Sequence, residues 1–492
     1  MDPKVLSEIL RPKTRKELIM LSSIVCGLEF CYSAETAFVI PTLLTYGIPI
    51  NNTTIVWCLS PLLGLIVSPL LGSLSDSCKL SYGRRRPFIL LYSLGIILGL
   101  ILVPNSDYIA SKIFKSNYHS LSVFMTIFGA VLLDFCCDAC QSPSRTLLFE
   151  VTNHNDYAIG LSTFTLTAGF GGGIGYLVGS IDWENIKFIE DIVGSDHKRI
   201  VFLISTFAFI TCLTLTLTSF QELPFNLLPF SQLSSNNINY EQLVEESHEM
   251  TPLYSSEARS EVIETVVSST ATFSDYIYSI IQMPTCLRIL CLTNLFSWMS
   301  LICYSLYFTD FVAQSIFNGN PTAPSNSESY KLYETGVKFG CLCMTFYSMF
   351  CSLYSYYFET LLNLFGAKFL YIGSGLIYSI GMLVIAITRS KISAIVLSFC
   401  AGIQYSTLFT MPYVLIAKYR FHEMFSGEPK PRGLGTDIAV VGSMVFLAQF
   451  ILSLCMGTII DIVGSHSAAI FIASFLSACS AGCATKVYYI NQ

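Results

Sequence analysis

Long apolar segments, each followed by a shorter polar one, recur along the whole chain. About 20 predominantly apolar residues are enough for an α-helix to cross the hydrocarbon core of a bilayer. Twelve segments meet this requirement, and we predict a transmembrane helix in each, at residues 20–47, 54–74, 87–104, 120–145, 158–180, 199–219, 287–314, 334–358, 368–388, 392–417, 436–460 and 467–489. The pattern therefore predicts an all-α integral membrane protein.

A long polar stretch divides the twelve segments into two groups of six. Residues 220–285 are rich in Ser, Asn and Glu and have no sustained apolar period, which is typical of a flexible linker. We predict an N-terminal six-helix bundle at residues 1–219, a cytosolic linker at 220–285 and a C-terminal six-helix bundle at 286–492. This layout is typical of transporters whose two halves rock about a central site.

Composition agrees with a membrane location. Hydrophobic residues make up 53% of the 492 residues and charged residues only 12%, which excludes an ordinary soluble globular protein. The net charge of -6 argues against a nucleic-acid partner. Basic residues at 4, 11, 13, 15 and 16 precede the first segment without a cleavage pattern, so the first helix is predicted to remain as a signal anchor.

The same basic residues predict the orientation of the chain, because Lys and Arg accumulate on the cytosolic side of membrane proteins. With an even number of spans, both termini are expected in the cytosol. We expect a monomer in the plasma membrane or in an intracellular vesicle membrane.

Cysteine and histidine give no sign of a metal site. Most of the 18 cysteines lie inside apolar segments, where they act as small hydrophobic residues, and the six histidines are scattered. The glycine-rich run at residues 169–175 has no Lys-Ser or Lys-Thr after it, so we predict a close helix contact there, not a phosphate site. We therefore expect neither an enzyme nor an ATP-driven pump, and no cofactor besides protons as the coupling ion.

Three charged residues lie in the fourth apolar segment: Asp134, Asp138 and Arg145. An ionisable side chain at membrane depth costs a few kcal/mol, so it needs a partner, a water-lined cavity or a function. The two carboxyls are one helical turn apart, and Arg145 returns to nearly the same face three turns after Asp134. We predict that this face binds a proton and gates a solute path. The alternative for Arg145 is a snorkelling anchor at the membrane boundary.

Other polar residues in apolar segments are candidates for the substrate site. Glu29 and Glu35 lie in the first segment, where they either face a cavity or serve only as helix packing partners. Aromatic and amide side chains supply stacking faces and hydrogen bonds to a polar solute, although such aromatics are more often core or interface residues. The candidates of this kind are Trp298, Tyr304, Tyr307, Gln404 and Tyr405.

A gate is predicted in the loop after the second segment and at the outer end of the seventh. The loop places Gly72 four residues before Asp76, and Gly83 directly before Arg84, Arg85 and Arg86. The arginines can pair with the acid or with a helix end and so hold one of two states. A plain positive-inside loop is the alternative, but it explains neither Gly72 nor Asp76. Asp310 is predicted as an outer-gate or capping residue.

This loop resembles the signature of the major facilitator superfamily, in the form seen in proton-coupled sucrose transporters. Residues 27–35, Gly-Leu-Glu-Phe-Cys-Tyr-Ser-Ala-Glu, look like the first helix of solute carrier family 45, the animal proton-associated sugar transporters. Residues 309–311, 336–340, 405–412 and 432–435 are similar as well. In the related plant sucrose transporters an Asp and an Arg eleven residues apart carry proton coupling and sugar recognition. The resemblance places these roles on Asp134 and Arg145.

Together these features lead to a hypothesis with two rivals. The expected function is symport of protons with sucrose or a related glucose-containing saccharide. One rival is a proton-linked transporter of a cationic solute such as a polyamine, held by Glu29, Glu35, Asp134 and Asp138. The other is a non-transporting membrane sensor or scaffold that signals through the linker.

Overall fold

All regular structure in the described part of the chain is helical. The computed structural model describes residues 11, 13–46, 48, 50–76, 78, 83–113, 118–152, 157–181, 197–220, 283–321, 323–324, 327–419, 434–465 and 467–489. Nearly all of the predicted linker lies outside these ranges. For Gly72 and Asp76 only the helical backbone is described.

The helices follow the predicted segments in order. They are α1 (Arg15–Leu21), α2 (Ser23–Thr45), α3 (Ile50–Asp76), α4 (Arg86–Ile113), α5 (His119–Val151), α6 (Tyr157–Ser180), α7 (His197–Ser219), α8 (Thr285–Phe311), α9 (Glu328–Phe365), α10 (Ala367–Thr388), α11 (Lys391–Tyr419), α12 (Leu434–Gly442), α13 (Met444–Val463) and α14 (Ser467–Ala484). A π-helical turn, Val312–Ile316, extends α8.

Nine helices in the described ranges are long and apolar enough to cross a membrane, and α1 with α2 makes a tenth span bent by 50°. Two further helices, α3 and α6, complete the predicted set of twelve. They are not among these ten spans because only the apolar part Val56–Val67 of α3 is fully described, and because the many glycines and threonines of α6 lower its hydropathy. The predicted all-α membrane fold is confirmed.

Several helices are longer than their predicted apolar segments. The third was predicted to end at residue 104, yet α4 continues to Ile113 through the polar residues Asp107 and Lys112. The fourth was predicted to end at 145, and α5 continues to Val151. Hydropathy marks only the part of a helix within the hydrocarbon, whereas backbone hydrogen bonding continues into the polar boundary.

The helices form two six-helix bundles that meet along two seams. In the first bundle α2 packs on α6 and α7, and α4 packs on α5. In the second bundle α8 and α10 pack on α14, and α9 packs on α11. Between the bundles α6 packs on α9 and α3 packs on α13. A polar residue on α2 or α5 can therefore meet one on α11 or α13 at the centre.

Glycines let α6 approach helices of both bundles closely, as predicted for residues 169–175. Gly171 lies against the backbone of Cys26 on α2, and Gly169 lies against α9. A Cβ at Gly169 would be 2.6 Å from Ser352 Oγ and 2.7 Å from the Ser348 carbonyl oxygen. Ser352 in turn donates a hydrogen bond to the Leu166 carbonyl at 2.9 Å. This seam is therefore packed backbone to backbone across the two bundles.

Because of this close approach, Gly169→Ala should destabilise the protein. The added methyl group must push α6 away from α9, which costs about 1–3 kcal/mol, or roughly 1–3 °C in melting temperature for a chain of this length. The matched control is Gly373→Ala in α10, where an added Cβ would meet nothing within 4 Å. Thermal unfolding of the purified protein in detergent measures both variants. Equal melting temperatures for Gly169→Ala and Gly373→Ala would contradict the tight seam.

Candidate functional site

Three polar side chains of the first bundle make hydrogen bonds to side chains of the second. Gln449 Nε2 on α13 donates to Asp134 Oδ2 at 3.0 Å. The hydroxyl of Tyr413 on α11 accepts a hydrogen bond from Arg145 Nη1. The hydroxyl of Tyr405, also on α11, donates to Glu29. Three of the predicted residues of the first bundle, Asp134, Arg145 and Glu29, therefore contact the opposite bundle.

Arg145 is held by a hydrogen-bonded and aromatic cage. Its Nη2 donates to Gln141 Oε1 at 3.1 Å, and its Cζ lies 4.5 Å from the centre of the Tyr413 ring and 4.7 Å from that of Phe409. The residue is only 5% exposed. This burial against the second bundle does not fit a snorkelling boundary anchor, because such an anchor extends its charged group into water. It fits a cation held for recognition of a polar solute.

The carboxyls of α2 and α5 form a compact acidic group. The hydroxyl of Tyr32 donates to Asp138 Oδ1. Glu35, one turn after Tyr32, is completely buried and lies near Asp134 and Asp138. Neither of its carboxyl oxygens has a hydrogen-bond partner in the described part of the chain. A buried carboxylate without a partner is costly in its charged form. Protonation removes that charge, so this acidic group is suited to binding protons.

Asp134 and Arg145 share α5 but do not pair with each other. Eleven residues of helix separate their Cα atoms by about 16 Å along the axis. Each has its own partner on the second bundle, Gln449 for Asp134 and Tyr413 for Arg145. The predicted proton site and the predicted sugar-binding cation are thus at different levels of the same interface.

Aromatic rings form a wall beside Arg145. Tyr405 and Phe409 stack with ring centres 4.2 Å apart, and Trp298 meets Phe409 edge to face at 5.3 Å. These contacts bring two of the predicted binding residues, Trp298 and Tyr405, to the same place as Arg145. Flat ring faces beside hydrogen-bonding groups are what a sugar-binding surface needs.

The remaining predicted binding residues lie deeper in the second bundle. Tyr304 is fully buried and donates to Ser398 Oγ at 3.2 Å, and its ring meets Tyr347 edge to face at 5.7 Å. Through Tyr347 it touches the wall, because Tyr347 also meets Tyr405. Gln404 is buried, and its Oε1 has no hydrogen-bond partner in the part described.

In the predicted gate after α3, the described partner of the arginines is an acid other than the expected Asp76. Arg84 and Arg85 both pair with Glu150, in the last turn of α5, with a distance of 3.1 Å from Arg85 Nε to Glu150 Oε1. Arg85 Nη1 also donates to Ser75 Oγ at 2.9 Å. The loop thereby ties the ends of α3 and α4 to the end of α5.

Two other gate residues are placed by the backbone. Gly83 has φ of +124°, which only glycine adopts readily, and Arg86 is buried at the start of α4. The sequence carried a signal for Glu150 that was overlooked, because it is an acid directly after the fourth apolar segment. The predicted pairing through Asp76 lies outside the described side chains.

Asp310 belongs to a separate polar cluster at the end of α8. It accepts a hydrogen bond from Gln314 Nε2 at 2.7 Å and one from the Tyr333 hydroxyl at 3.4 Å. Gln314 lies four residues after Asp310, within the π-helical turn Val312–Ile316. In the described residues, no group of three or more His, Cys, Asp or Glu side chains is placed to hold a metal ion.

Comparison with known proteins agrees with this architecture. Residues 21–422 match the Major Facilitator Superfamily domain. A human protein named Membrane-associated transporter protein is 32% identical over 94% of this chain and 91% of its own length. Human Proton-associated sugar transporter A is 26% identical over 94% and 84%. Solute carrier family 45 member 3 of Macaca fascicularis is 30% identical over 87% and 74%.

A solved structure shows the same fold at low sequence identity. The major facilitator proton:xylose symporter XylE, bound to 6-bromo-6-deoxy-D-glucose, aligns with a TM-score of 0.60 over 99% of this chain and 97% of that chain. Only 15% of the residues are identical, so this likeness concerns the fold. The chain is a multi-pass membrane transporter that belongs to the major facilitator superfamily and, within it, to solute carrier family 45.

Proposed function

We propose that the protein is a proton-coupled sugar symporter that works by alternating access, with sucrose or a related glucose-containing saccharide as its solute. The observation that carries this proposal is the buried Asp134 carboxyl, which makes its hydrogen bond to Gln449 across the two bundles. The name of one relative, Proton-associated sugar transporter A, supports a sugar as the solute.

Burial gives Asp134 its role in coupling. The residue is 5% exposed and pairs with the neutral amide of Gln449, so no cation in the described part of the chain offsets its charge in the closed interface. Closing the bundles around a charged carboxylate costs several kcal/mol, whereas a protonated carboxyl closes without that cost. When the bundles separate, water reaches Asp134 and the proton exchanges. Proton binding on one side and release on the other therefore accompany each transport cycle.

We assign sugar binding to the side chains that are hydrogen-bonded to each other across the interface in this structure. Arg145, Glu29 and Tyr405 supply charged and hydroxyl hydrogen-bonding groups, and the ring faces of Trp298 and Tyr405 lie beside them. A sugar that enters the opened interface replaces the Glu29 to Tyr405 and Arg145 to Tyr413 bonds with bonds to its hydroxyls. Charge-assisted hydrogen bonds of this kind are the stronger ones.

The wider arrangement follows from this function. Protons are the coupling ion, and no other cofactor takes part. The first bundle at residues 1–219 and the second at 286–492 move relative to each other, with the linker at 220–285 and both termini in the cytosol. The arginine loop with Glu150 stabilises the closed inner side, and Asp310 acts at the outer side. The transporter works as a monomer in the plasma membrane or in a vesicle membrane.

Uptake into proteoliposomes tests the proposal. Purified protein is reconstituted, and a panel of radiolabelled sucrose, maltose, glucose and spermidine is presented at external pH 5.5 and 7.5 with the interior at 7.5. We expect sucrose or another glucose-containing sugar to accumulate, and to do so faster at the lower external pH. Equal sugar uptake at both values would contradict proton coupling, and no sugar uptake at all would contradict the solute class.

A cationic solute is a second candidate, because the site contains more acids than bases. Glu29, Glu35, Asp134 and Asp138 are all in or near the bundle interface, and the only described basic residue beside them is Arg145. Polyamines bind to clusters of this charge. Competition between labelled sucrose and unlabelled spermidine separates the candidates. Inhibition by spermidine combined with uphill spermidine uptake would favour the cationic solute.

A further inference from the structure

The eleventh membrane span is interrupted at a point where the two bundles meet. Residues 436–460 were predicted as one helix, but α12 ends at Gly442 and α13 begins at Met444, with Ser443 between them. The short helix α12 packs on α3 and α5 of the first bundle and on α8 and α11 of the second. Any movement between the bundles therefore acts on the junction between α12 and α13.

Side chains bind the backbone carbonyls at this junction. Asn294 Nδ2 on α8 donates to the Val441 carbonyl at 2.9 Å, and Ser443 Oγ donates to the Val440 carbonyl at 2.7 Å. Asn294 is only 1% exposed. Inside a membrane, the backbone groups that a break in a helix releases must be satisfied by neighbouring side chains. Asn294 thus fixes the end of α12 to α8.

The same span touches both proposed sites, on either side of the junction. A Cβ added at Gly442 would lie 3.7 Å from the hydroxyl of Tyr413, which accepts the hydrogen bond from Arg145. Gln449, which donates to Asp134, follows seven residues later. Seven residues are nearly two helical turns, so Gly442 and Gln449 share a face about 10 Å apart along the axis. The junction therefore lies between the level of Arg145 and the level of Asp134.

We propose that Asn294 is a positioning residue that holds the junction of α12 and α13, and that bending at this junction couples sugar binding at Arg145 to the hydrogen bond between Gln449 and Asp134. The inference rests on the proposed symport function and adds the element that connects its two sites. A sugar that separates Tyr413 from Arg145 displaces the end of α12 beside Tyr413. Because Asn294 holds the Val441 carbonyl in place, the displacement passes to α13 and moves Gln449.

Two further observations on α8 fit this role of Asn294. Trp298, one turn after Asn294, meets Phe409 in the aromatic wall beside Arg145, so one helix carries both the wall and the residue that holds the junction. The Oδ1 of Asn294 has no hydrogen-bond partner in the part of the chain that the structure describes. Buried polar atoms nearly always have partners, and a bent junction exposes a backbone N–H that this oxygen can accept.

Asn294→Leu tests the proposal, because leucine has a similar branched shape but no donor. Sugar exchange in proteoliposomes at equal pH should stay within about threefold of the wild type, while accumulation driven by one pH unit should fall from roughly tenfold to about threefold or less. Ser300→Ala is the matched control. Ser300 is fully buried on the same helix and donates to the Ala473 carbonyl of α14 at 2.6 Å, away from the junction. Wild-type accumulation in Asn294→Leu, or an equal loss in Ser300→Ala, would overturn the proposal.

Gly442→Ala tests the bending itself and serves equally if Asn294→Leu does not fold. The added Cβ has room, since its one neighbour within 4 Å in the described residues is the Tyr413 hydroxyl at 3.7 Å. Alanine favours a regular helix over glycine, so the junction should bend less readily, and the maximal rate of proton-driven uptake should fall roughly fourfold. The KM for sugar should stay within about twofold, because no contact is removed. A maximal rate equal to that of the wild type would contradict the bending.

An infrared measurement follows the coupling without transport. The C=O stretch of protonated Asp134 is identified as the band that disappears in Asp134→Asn. Sucrose, or the sugar of the panel that is taken up best, should shift this band in the wild type and in Ser300→Ala, because Gln449 moves. The band should not respond to sugar in Asn294→Leu, and a shift of wild-type size in that variant would overturn the proposal.

The outcomes also separate this inference from the proposed function. If Asp134→Asn retains proton-driven accumulation, the coupling role of Asp134 is wrong and the inference falls with it. If Asp134→Asn loses accumulation while Asn294→Leu and Gly442→Ala behave like the wild type, the coupling role stands and the role of the junction is wrong.

Discussion

Replacing Arg145 with lysine is expected to lower sugar uptake about a hundredfold. Lysine keeps the positive charge but cannot donate to Gln141 and Tyr413 together, and it stacks less well on the rings of Tyr413 and Phe409. Loss of one charge-assisted hydrogen bond and of the stacking amounts to about 3 kcal/mol, which is close to two powers of ten in rate. Initial rates of sucrose uptake in proteoliposomes measure the effect.

The control for this prediction is Arg389→Lys. Arg389 is exposed in the turn between α10 and α11, so its substitution should leave uptake unchanged. If Arg145→Lys transports sugar within about threefold of the wild type, a difference below 1 kcal/mol, Arg145 does not recognise the solute.

The second large effect is expected for Asp134→Asn. A gradient of one pH unit stores about 1.4 kcal/mol per proton, enough to concentrate a sugar about tenfold when one proton accompanies each molecule. Asparagine has nearly the shape of aspartate and can still bond to Gln449, but it cannot bind a proton in this range. The accumulation ratio should therefore fall to one, while some exchange of internal for external sugar remains.

Two companion variants sharpen this prediction. Asp134→Glu keeps a carboxyl and should restore part of the accumulation. Asp107→Asn removes a carboxylate at an exposed position of α4, where Asp107 accepts a hydrogen bond from Ser122, and should accumulate sugar like the wild type. Uphill accumulation in Asp134→Asn would place the coupling proton elsewhere, with Glu35 as the next carboxyl to test.

The sequence was sufficient to find the charged residues of the interface. A carboxylate or guanidinium inside an apolar segment is expensive, so Asp134, Asp138 and Arg145 stood out without any structure. Glu29 and Glu35 stood out for the same reason. The helical repeat also placed the glycines of α6 on faces that approach neighbouring helices, and the structure confirms this contact.

The partners of these residues were harder to predict. Gln449 and Tyr413 are neutral polar residues, which carry little cost in a membrane helix and so give little signal. They lie about 300 residues further along the chain, and no local pattern fixes which turn of one bundle meets which turn of the other.

Helical spacing places Asp134 and Arg145 on nearly the same face of α5 but at different levels along it. Residues on one face of a helix share a direction but not a level. Over three turns the two side chains are separated by about 16 Å, and each finds a partner on the second bundle. The proposed proton and sugar sites can then be coupled through the opening and closing of the interface, without direct contact between the two residues.

Proton movement driven by sugar tests this coupling most directly. Proteoliposomes are loaded with a pH-sensitive dye, no pH gradient or voltage is imposed, and sucrose or the best sugar of the panel is added outside. Proton symport through Asp134 predicts that the interior of wild-type liposomes acidifies as sugar enters, and that Asp134→Asn admits sugar without acidification. Sugar influx into wild-type liposomes at constant internal pH, or equal acidification in Asp134→Asn, would contradict it.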